Sequence, residues 1–264
     1  MRSQPLTHLA CCAAVLTGII FLGVPPVHAA PQQNAAKSAP AADAKNNLSG
    51  VWQLQGDGSA QPIAADEDMP PMTPWGKARF NEQKPGYGKR GAAGGNDPIL
   101  QCDPIGFPRI MLMPTPNELV QMPNRVLQFW EREHEWRTIW TDGRLLPADP
   151  DPTWYGYAVG HWDQDGTLVV ESTGFNESTW LSPTGYPHSD QMRIVERYRR
   201  VNQDTLSYDI TITDPKAYSK PVVTPHRVMK LKPTEELSEQ PCVWSQENEF
   251  TQRIRNPATP SPAK

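Results

Sequence analysis

The amino-acid sequence predicts an all-β protein whose antiparallel strands follow one another as a meander and close into a barrel. From residue 109 onward, short runs of alternating apolar and polar residues recur about eight to twelve residues apart, the spacing of sandwiches and barrels. Tight-turn sequences such as Pro123-Asn124 and Gln164-Asp165-Gly166 separate these runs. The 29 prolines and 18 glycines interrupt the chain too often for long helices. A long meander tends to close on itself because closure leaves no strand edge exposed.

The elements can be placed in order along the chain. A first strand at residues 48–54 carries the pattern Gly50-x-Trp52, which is similar to the pattern that closes the base of lipocalin-like barrels; alternatively, Trp52 is an ordinary core residue. One short helix begins at Pro74 with Thr73 as its N-cap, and long loops follow Asp142 and Thr173. We therefore predict a lipocalin-like barrel. Further strands are predicted at residues 109–113, 118–122, 125–131, 134–140, 157–163, 167–173, 192–201, 205–213 and 227–232.

The two ends of the chain have compositions unlike the rest. Residues 1–29 have one charge, Arg2, an apolar run and small residues before Ala30, which predicts a secretory signal peptide and a periplasmic or secreted protein. Residues 30–47 are predicted to form a disordered spacer and residues 251–264 a disordered tail. Residues 48–250 then form a single barrel domain, and no later stretch reaches the roughly 20 apolar residues of a membrane span.

Cysteine placement predicts one disulfide. Two of the four cysteines belong to the signal peptide, which leaves Cys102 and Cys242 near the two ends of the folded region. In an oxidising compartment a lone pair of cysteines is most simply a disulfide. Two reduced thiols or a metal pair are the alternatives, and no Cys-x-x-Cys spacing supports them.

Charge and motif content exclude several classes of function. The chain has 25 basic and 29 acidic residues, and loss of Arg2 with the signal peptide brings the net charge from −4 to about −5. A mildly acidic surface argues against nucleic acid or an anionic membrane as the main partner. No nucleotide-binding motif is present, so we predict no organic cofactor. No two of the remaining histidines have the short spacing of a zinc site, so we predict no metal; the sequence does not predict an oligomeric state.

Most of the residues suited to chemistry lie between residues 134 and 200. In the strand at residues 192–201, Ile194, Glu196 and Tyr198 share one face and Arg193 and Arg197 the other. Glu196 is therefore predicted on the apolar face, where a carboxylate must be paired, protonated or hydrated. One interpretation is that Glu196 forms a buried ion pair with an arginine. The other is that it serves as an acid or base in a pocket.

The strand at residues 134–140 offers a second candidate. His134, Trp136 and Trp140 share a face, which suggests a histidine framed by aromatic rings in the wall of a binding site. The alternative is a core histidine that is hydrogen-bonded to a backbone carbonyl. Arg137 lies on the other face and is predicted to pair with Glu133 or to hold an anionic group of a ligand.

Two loops complete the candidate site. Residues 174–190 include Trp180 and His188, and a loop of this length is often a lid or a binding loop. His188, Ser189 and Asp190 have the residue types of a hydrolytic triad, but neighbours in sequence rarely reach triad geometry and no Gly-x-Ser-x-Gly motif is present. The second loop, residues 149–157, combines Asp-Pro repeats with aromatic residues that could stack on a sugar or an apolar ring. These aromatic residues include Trp154 and Tyr157.

Several short sequence blocks follow one another along the chain. The blocks are Cys102-Asp103-Pro104, Gly106-Phe107-Pro108-Arg109, Trp140-Thr141-Asp142-Gly143-Arg144, Asp151-Pro152-Thr153-Trp154-Tyr155-Gly156-Tyr157, Gly174-Phe175-Asn176, Pro187-His188-Ser189 and Glu196-Arg197-Tyr198-Arg199-Arg200. Together they resemble a widespread family of secreted bacterial proteins described as hypothetical. The resemblance covers about residues 48 to 245 and implies export and a single domain, with no activity carried over. Two block positions, His188 and Glu196, coincide with candidates found from the pattern alone.

The leading functional hypothesis is an exported barrel enzyme that acts on a small, partly apolar molecule by cofactor-free acid-base chemistry, as a lyase, hydratase or isomerase. His134, His188 and Glu196 are the predicted proton-transfer groups. The alternative is a periplasmic carrier or sensor without catalysis, and a third possibility is a structural protein with a solid interior. The predicted ligand contacts are Arg137, Arg197, Trp136, Trp140, Trp154, Tyr157 and Trp180.

Overall fold

Nine strands close into a barrel in the computed structural model, which describes residues 46–58 and 60–255. The predicted signal peptide, most of the spacer and the end of the predicted tail lie outside these residues. Around the barrel each strand pairs with the next from β1 to β8, and β10 joins β8 to β1. The short strand β9 pairs with the rest of the β8 edge. The strands are β1 (Gly50–Leu54), β2 (Asn117–Met122), β3 (Arg125–Trp130), β4 (Trp136–Trp140), β5 (Tyr157–Trp162), β6 (Leu168–Thr173), β7 (Arg193–Asn202), β8 (Thr205–Thr213), β9 (Val222–Val223) and β10 (Arg227–Leu231).

The prediction of an all-β barrel is confirmed, but the sheet is not purely antiparallel. Strands β4 and β5 pair in parallel, with Ile139 opposite Ala158 and Trp140 opposite Val159. Parallel neighbours need a crossover of a dozen or more residues, because a tight hairpin reverses the chain direction. The predicted long loop after Asp142 supplies that crossover. This loop and the predicted loop after Thr173 are both present.

The strand predicted at residues 109–113 is wrong. Arg109–Leu112 forms a short 3-10 helix in which all four residues are buried. The sulfur of Met111 accepts hydrogen bonds from Gln128 and from the indole of Trp130, two inward-facing residues of β3. A strand of the barrel wall would turn alternate residues outward. This segment instead fills the barrel interior, so every face of it is covered.

Trp52 is fully buried and lies where the chain before β1 meets the end of β7. Its indole donates to the Leu48 carbonyl (2.8 Å), and the Arg200 guanidinium lies 5.2 Å from its ring centroid. Arg200 also donates to the Asn47 carbonyl (2.6 Å). Trp52 therefore packs in the core, and Arg200 covers its ring.

The predicted helix start is confirmed. Helix α1 (Pro74–Glu82) begins at Pro74, and the Thr73 hydroxyl accepts a hydrogen bond from the Gly76 amide (3.1 Å). A Cβ atom at Gly76 would lie 2.2 Å from the Ala217 carbonyl oxygen, so only glycine lets α1 approach the connection after β8. A second helix that the sequence did not predict, α2 (Trp244–Phe250), lies near the end of the described chain. None of the helices in the described residues combines the length and the hydrophobicity that a membrane span requires.

The predicted disulfide is confirmed. Cys102 and Cys242, 140 residues apart in sequence, have Cα atoms 5.4 Å apart and joined sulfurs. Cys102 directly follows a 3-10 helix (Pro98–Gln101), and Cys242 precedes α2. The bond therefore ties the segment that enters the barrel interior to the last described part of the chain.

Candidate functional site

Glu196 lies at the centre of a polar cluster inside the barrel. The predicted alternation of β7 is confirmed, because Ile194, Glu196 and Tyr198 are buried while the residues between them are exposed. Glu196 Oε1 accepts hydrogen bonds from Arg137 Nη2 (2.8 Å), Tyr198 Oη (2.6 Å) and Tyr208 Oη (2.8 Å). The carboxylate is thus half of a buried ion pair, the first of the two interpretations that its position allowed.

Arg137 completes this cluster from β4. Its Nε donates to Gln128 (3.0 Å), and its guanidinium lies 3.9 Å from the ring centroid of Phe107. Burial is the largest single effect and opposes the charge on Arg137, but the Glu196 carboxylate together with Tyr198 and Tyr208 outweighs it and raises the pKa of the guanidinium. The predicted pairing of Arg137 with Glu133 is wrong, since Glu133 Oε2 instead accepts from the Ile105 amide (3.0 Å). The arrangement holds both charges in place within the barrel.

Burial, together with the negative charge of Glu196, raises the pKa of Tyr198 and of Tyr208. Both phenols therefore stay protonated at neutral pH and serve as donors to the carboxylate. Two atoms of the cluster, Glu196 Oε2 and Arg137 Nη1, are buried without a hydrogen-bond partner in the described chain.

His134 does not lie in the barrel wall, contrary to the prediction. Strand β4 begins at Trp136, and His134 lies in the preceding turn with a backbone φ of 55°. Its ring contacts the Ser238 carbonyl and the Gln240 amide, both at 3.2 Å. Trp136 is 56% exposed, and Arg137 faces inward. Alternation fixes which residues share a face, but Arg137 takes the inner face because it meets Glu196 there.

Three other predicted ligand contacts lie on the outside of the barrel. The Arg144 guanidinium lies 3.7 Å from the ring centroid of Trp140 and donates to the Tyr157 hydroxyl (2.9 Å). Arg197 faces solvent and pairs with Asp163 (2.9 Å). Trp140, Tyr157 and Arg197 are therefore held by surface partners and do not line the interior.

The remaining two predicted aromatic contacts pack inside the protein. Trp154 is partly buried against the hydrophobic core, and Trp180 is 4% exposed in the loop between β6 and β7. Trp180 therefore offers no open ring surface on which a ligand could stack.

His188 and Ser189 fix the long loop between β6 and β7. His188 Nε2 lies 2.7 Å from the Thr179 hydroxyl oxygen. Ser189 donates from its hydroxyl (2.7 Å) and from its backbone amide (2.6 Å) to Asp214, which follows β8. In the described chain the side chains of His188 and Ser189 are not hydrogen-bonded to each other. Their arrangement is therefore not that of a hydrolytic triad. The hydrogen bonds of Ser189 instead hold the loop at the end of β8.

His188 should make the stability of the protein sensitive to acid. Burial lowers the pKa of His188 below its ordinary value of 6.5, although the negative charges of Asp214 and Glu177 act in the opposite direction. Below pH 6.5 the unfolded chain binds the proton more readily than the folded protein, so stability falls with pH. We expect this histidine to cost no more than about 2 kcal/mol between pH 7 and pH 5.

Urea unfolding at the two pH values measures this effect. The His188→Gln variant should lose less stability on acidification than the wild type. The exposed His161, which lies 3.5 Å from Asp163, provides the matched control His161→Gln, which should keep the wild-type acid sensitivity. Equal pH dependence in the wild type and His188→Gln would contradict the assignment.

A cleft of about 470 Å³ lies at one end of the barrel, where β6 and β8 end and β7 begins. Its other wall is the loop at residues 148–152. Apolar and polar residues both line it, and the side chain of Phe175 among them is almost fully buried. Two clefts of about 330 and 230 Å³, beside Trp244 and His134, are smaller. The cleft is lined by Ala148, Asp149, Pro150, Pro152, Thr173, Gly174, Phe175, Asp190, Gln191, Arg193, Thr213 and Pro215.

The two walls of the cleft are joined by backbone hydrogen bonds. The Thr153 amide donates to the Gly174 carbonyl, and the Asn176 amide donates to the Thr153 carbonyl, both at 2.9 Å. Gly174 has a φ of +72°, and a Cβ atom there would lie 2.5 Å from Pro150 Cγ. Only glycine therefore allows this close approach, which sets the shape of the cleft.

Sequence reasoning identified the loops of this cleft but missed its strand residues. The Asp-Pro loop and the loop after Thr173 were both candidates, and the structure brings them together. Arg193 and Thr213 are opposite each other in the β7–β8 pairing, which a single sequence does not reveal. The sequence feature that could have identified Arg193 was its position on the outer face of β7, directly after a long loop.

Comparisons with known protein families, with curated proteins and with solved structures find no match. The family resemblance of the sequence blocks therefore remains an interpretation of the sequence. The function is inferred from the geometry of the site itself.

Proposed function

We propose that this protein binds a small molecule in the cleft at the β6–β7–β8 end of the barrel, as a carrier or sensor that acts after export to the periplasm or secretion. The observation that carries the proposal is the cleft itself, which has a volume of about 470 Å³ and is lined by both apolar and polar residues. Ligand sites are commonly concavities of about 300–1,000 Å³ with mainly apolar walls and a few well-placed polar groups.

The positions of the three predicted proton-transfer groups favour binding over catalysis. His134 lies in an exposed turn, His188 is buried against Thr179, and Glu196 is paired with Arg137 in the barrel interior. An acid-base mechanism needs its groups within about 2.6–3.2 Å of the protons they transfer, or one water away. Three groups in three separate environments do not meet that condition together, so we prefer a carrier or sensor to a lyase, hydratase or isomerase.

The first test is native mass spectrometry of the protein purified from its own cell envelope, compared with its mass after denaturation. A non-covalent mass that is lost on denaturation would identify the ligand. The variant Thr213→Trp places a large ring in the cleft and should weaken binding of that ligand at least tenfold. A Kd unchanged in Thr213→Trp would contradict the proposal.

The matched control for this variant is Val201→Trp. Val201 is 59% exposed and lies at the other end of β7, away from the cleft. The Val201→Trp variant should bind the ligand as the wild type does. If the two variants unfold at the same temperature, weaker binding by Thr213→Trp comes from a blocked cleft and not from a destabilised fold.

A further inference from the structure

Two side chains of opposite charge line the cleft without pairing. Asp149 belongs to the loop at residues 148–152, and Arg193 is the first residue of β7. Both are exposed. Within the described chain neither side chain makes a hydrogen bond or an ion pair, so no guanidinium nitrogen of Arg193 lies within 4.0 Å of the Asp149 carboxylate. The cleft separates the two charges.

The third charged residue of the cleft, Asp190, already has an ion-pair partner, which it shares with Glu177. Lys216 Nζ lies 2.9 Å from Asp190 and 2.7 Å from Glu177, just outside the cleft. The hydroxyl of Thr213 and the amide of Gln191 are uncharged. The cleft therefore presents one free carboxylate and one free guanidinium to a ligand.

We propose that the ligand is a small zwitterion of the amino-acid or dipeptide class, an inference that rests on the proposed binding function. A ligand carboxylate would accept two hydrogen bonds from the planar guanidinium of Arg193, the geometry in which arginine binds carboxylates best. A ligand ammonium group would donate to Asp149. A ligand with only one charge would leave the other protein charge unpaired and would be repelled by the charge of like sign.

The apolar parts of the cleft fit the rest of such a ligand. Pro150, Pro152 and Pro215 line it and can cover a hydrocarbon side chain. Among the described residues, the aromatic residue that lines the cleft is Phe175, and its side chain is almost fully buried. The stacking suggested by the aromatic residues of this loop is therefore not offered at the cleft, which favours recognition by charge.

Isothermal titration calorimetry with four probes tests the inference on the full-length mature protein. L-Leucine and L-leucyl-L-leucine carry both charges at two different separations, N-acetyl-L-leucine carries only the negative charge, and L-leucinamide only the positive one. At least one of the two zwitterions should bind at least tenfold more tightly than either singly charged probe.

Two variants assign the charges. Asp149→Asn should weaken binding of the zwitterion at least fivefold without weakening N-acetyl-L-leucine. Arg193→Gln should weaken the zwitterion by a similar factor without weakening L-leucinamide. The controls are Asp151→Asn, two residues from Asp149 but outside the cleft lining, and Arg199→Gln, on the same outer face of β7. Both controls should bind as the wild type does.

The outcomes separate this inference from the proposed function. A native ligand without both charges, or zwitterions that bind no better than the singly charged probes, would overturn the inference. If Thr213→Trp still weakens binding of that native ligand, the cleft remains the binding site. If Thr213→Trp weakens no ligand, both the inference and the proposed function fail.

Discussion

Replacing Glu196 with glutamine is expected to lower the free energy of unfolding by about 3–5 kcal/mol, because the change leaves the charge of Arg137 buried without its partner. Glu196 is fully buried and accepts three hydrogen bonds on one oxygen. A neutral amide keeps the volume of the side chain but removes the negative charge. Urea unfolding followed by tryptophan fluorescence at pH 7 measures the loss.

A matched control for this variant lies on the neighbouring strand. Glu171 of β6 is exposed and makes no ion pair in the described chain, so Glu171→Gln should change stability by less than about 0.5 kcal/mol. The double variant Glu196→Met with Arg137→Met removes both charges together and should cost less than Glu196→Gln alone, since replacing a buried ion pair with apolar groups of similar size is often nearly neutral. A loss below about 1 kcal/mol for Glu196→Gln would contradict the role given to the pair.

Removing the disulfide with Cys102→Ser and Cys242→Ser together is expected to cost up to about 5 kcal/mol in the loop-entropy model. The two cysteines are 140 residues apart, and the unfolded chain gains more freedom when a longer loop is opened. Reversible urea unfolding of the double variant, compared with the oxidised wild type, gives the difference.

The reduced wild-type protein provides a second measurement of the same effect. Its stability should agree with that of the double serine variant, because both lack the covalent link and keep the rest of the chain. A difference of less than about 1 kcal/mol between the oxidised and reduced proteins would show that the link constrains the unfolded chain far less than its length implies. The proposed binding cleft shares no lining residue with the disulfide, so ligand affinity should survive in the folded variant.

The buried charges and the cleft have separate roles in this protein. The ion pair of Glu196 and Arg137 fixes how β7 and β4 face each other across the barrel. The cleft lies at the end of the barrel, and its charged residues Asp149 and Arg193 are exposed. We therefore expect variants of the first pair to change stability, and variants of the second pair to change ligand binding.

Local patterns in the sequence were sufficient to predict several elements. The alternation of β7 placed Glu196 and Tyr198 on the inner face, and the Thr73-Pro74 pair marked the start of α1. Each of these depends on interactions between residues close in sequence, or on a period that the strand itself imposes. The disulfide followed from the number of cysteines left after the predicted signal peptide.

Long-range contacts decided the features that local patterns did not predict. The inner face of β4 belongs to Arg137 because Glu196, 59 residues later in the chain, meets it there. The segment at residues 109–112 is helical because it fills the barrel and has no outer face. The cleft joins side chains from residues 148–152, 173–175, 190–193 and 213–215, which are brought together only by strand pairing and the loop at residues 148–152. The sequence by itself determined most of the strands and the alternation within them, whereas the tertiary structure decided which side of a strand faces inward, because that depends on partners far away in the chain.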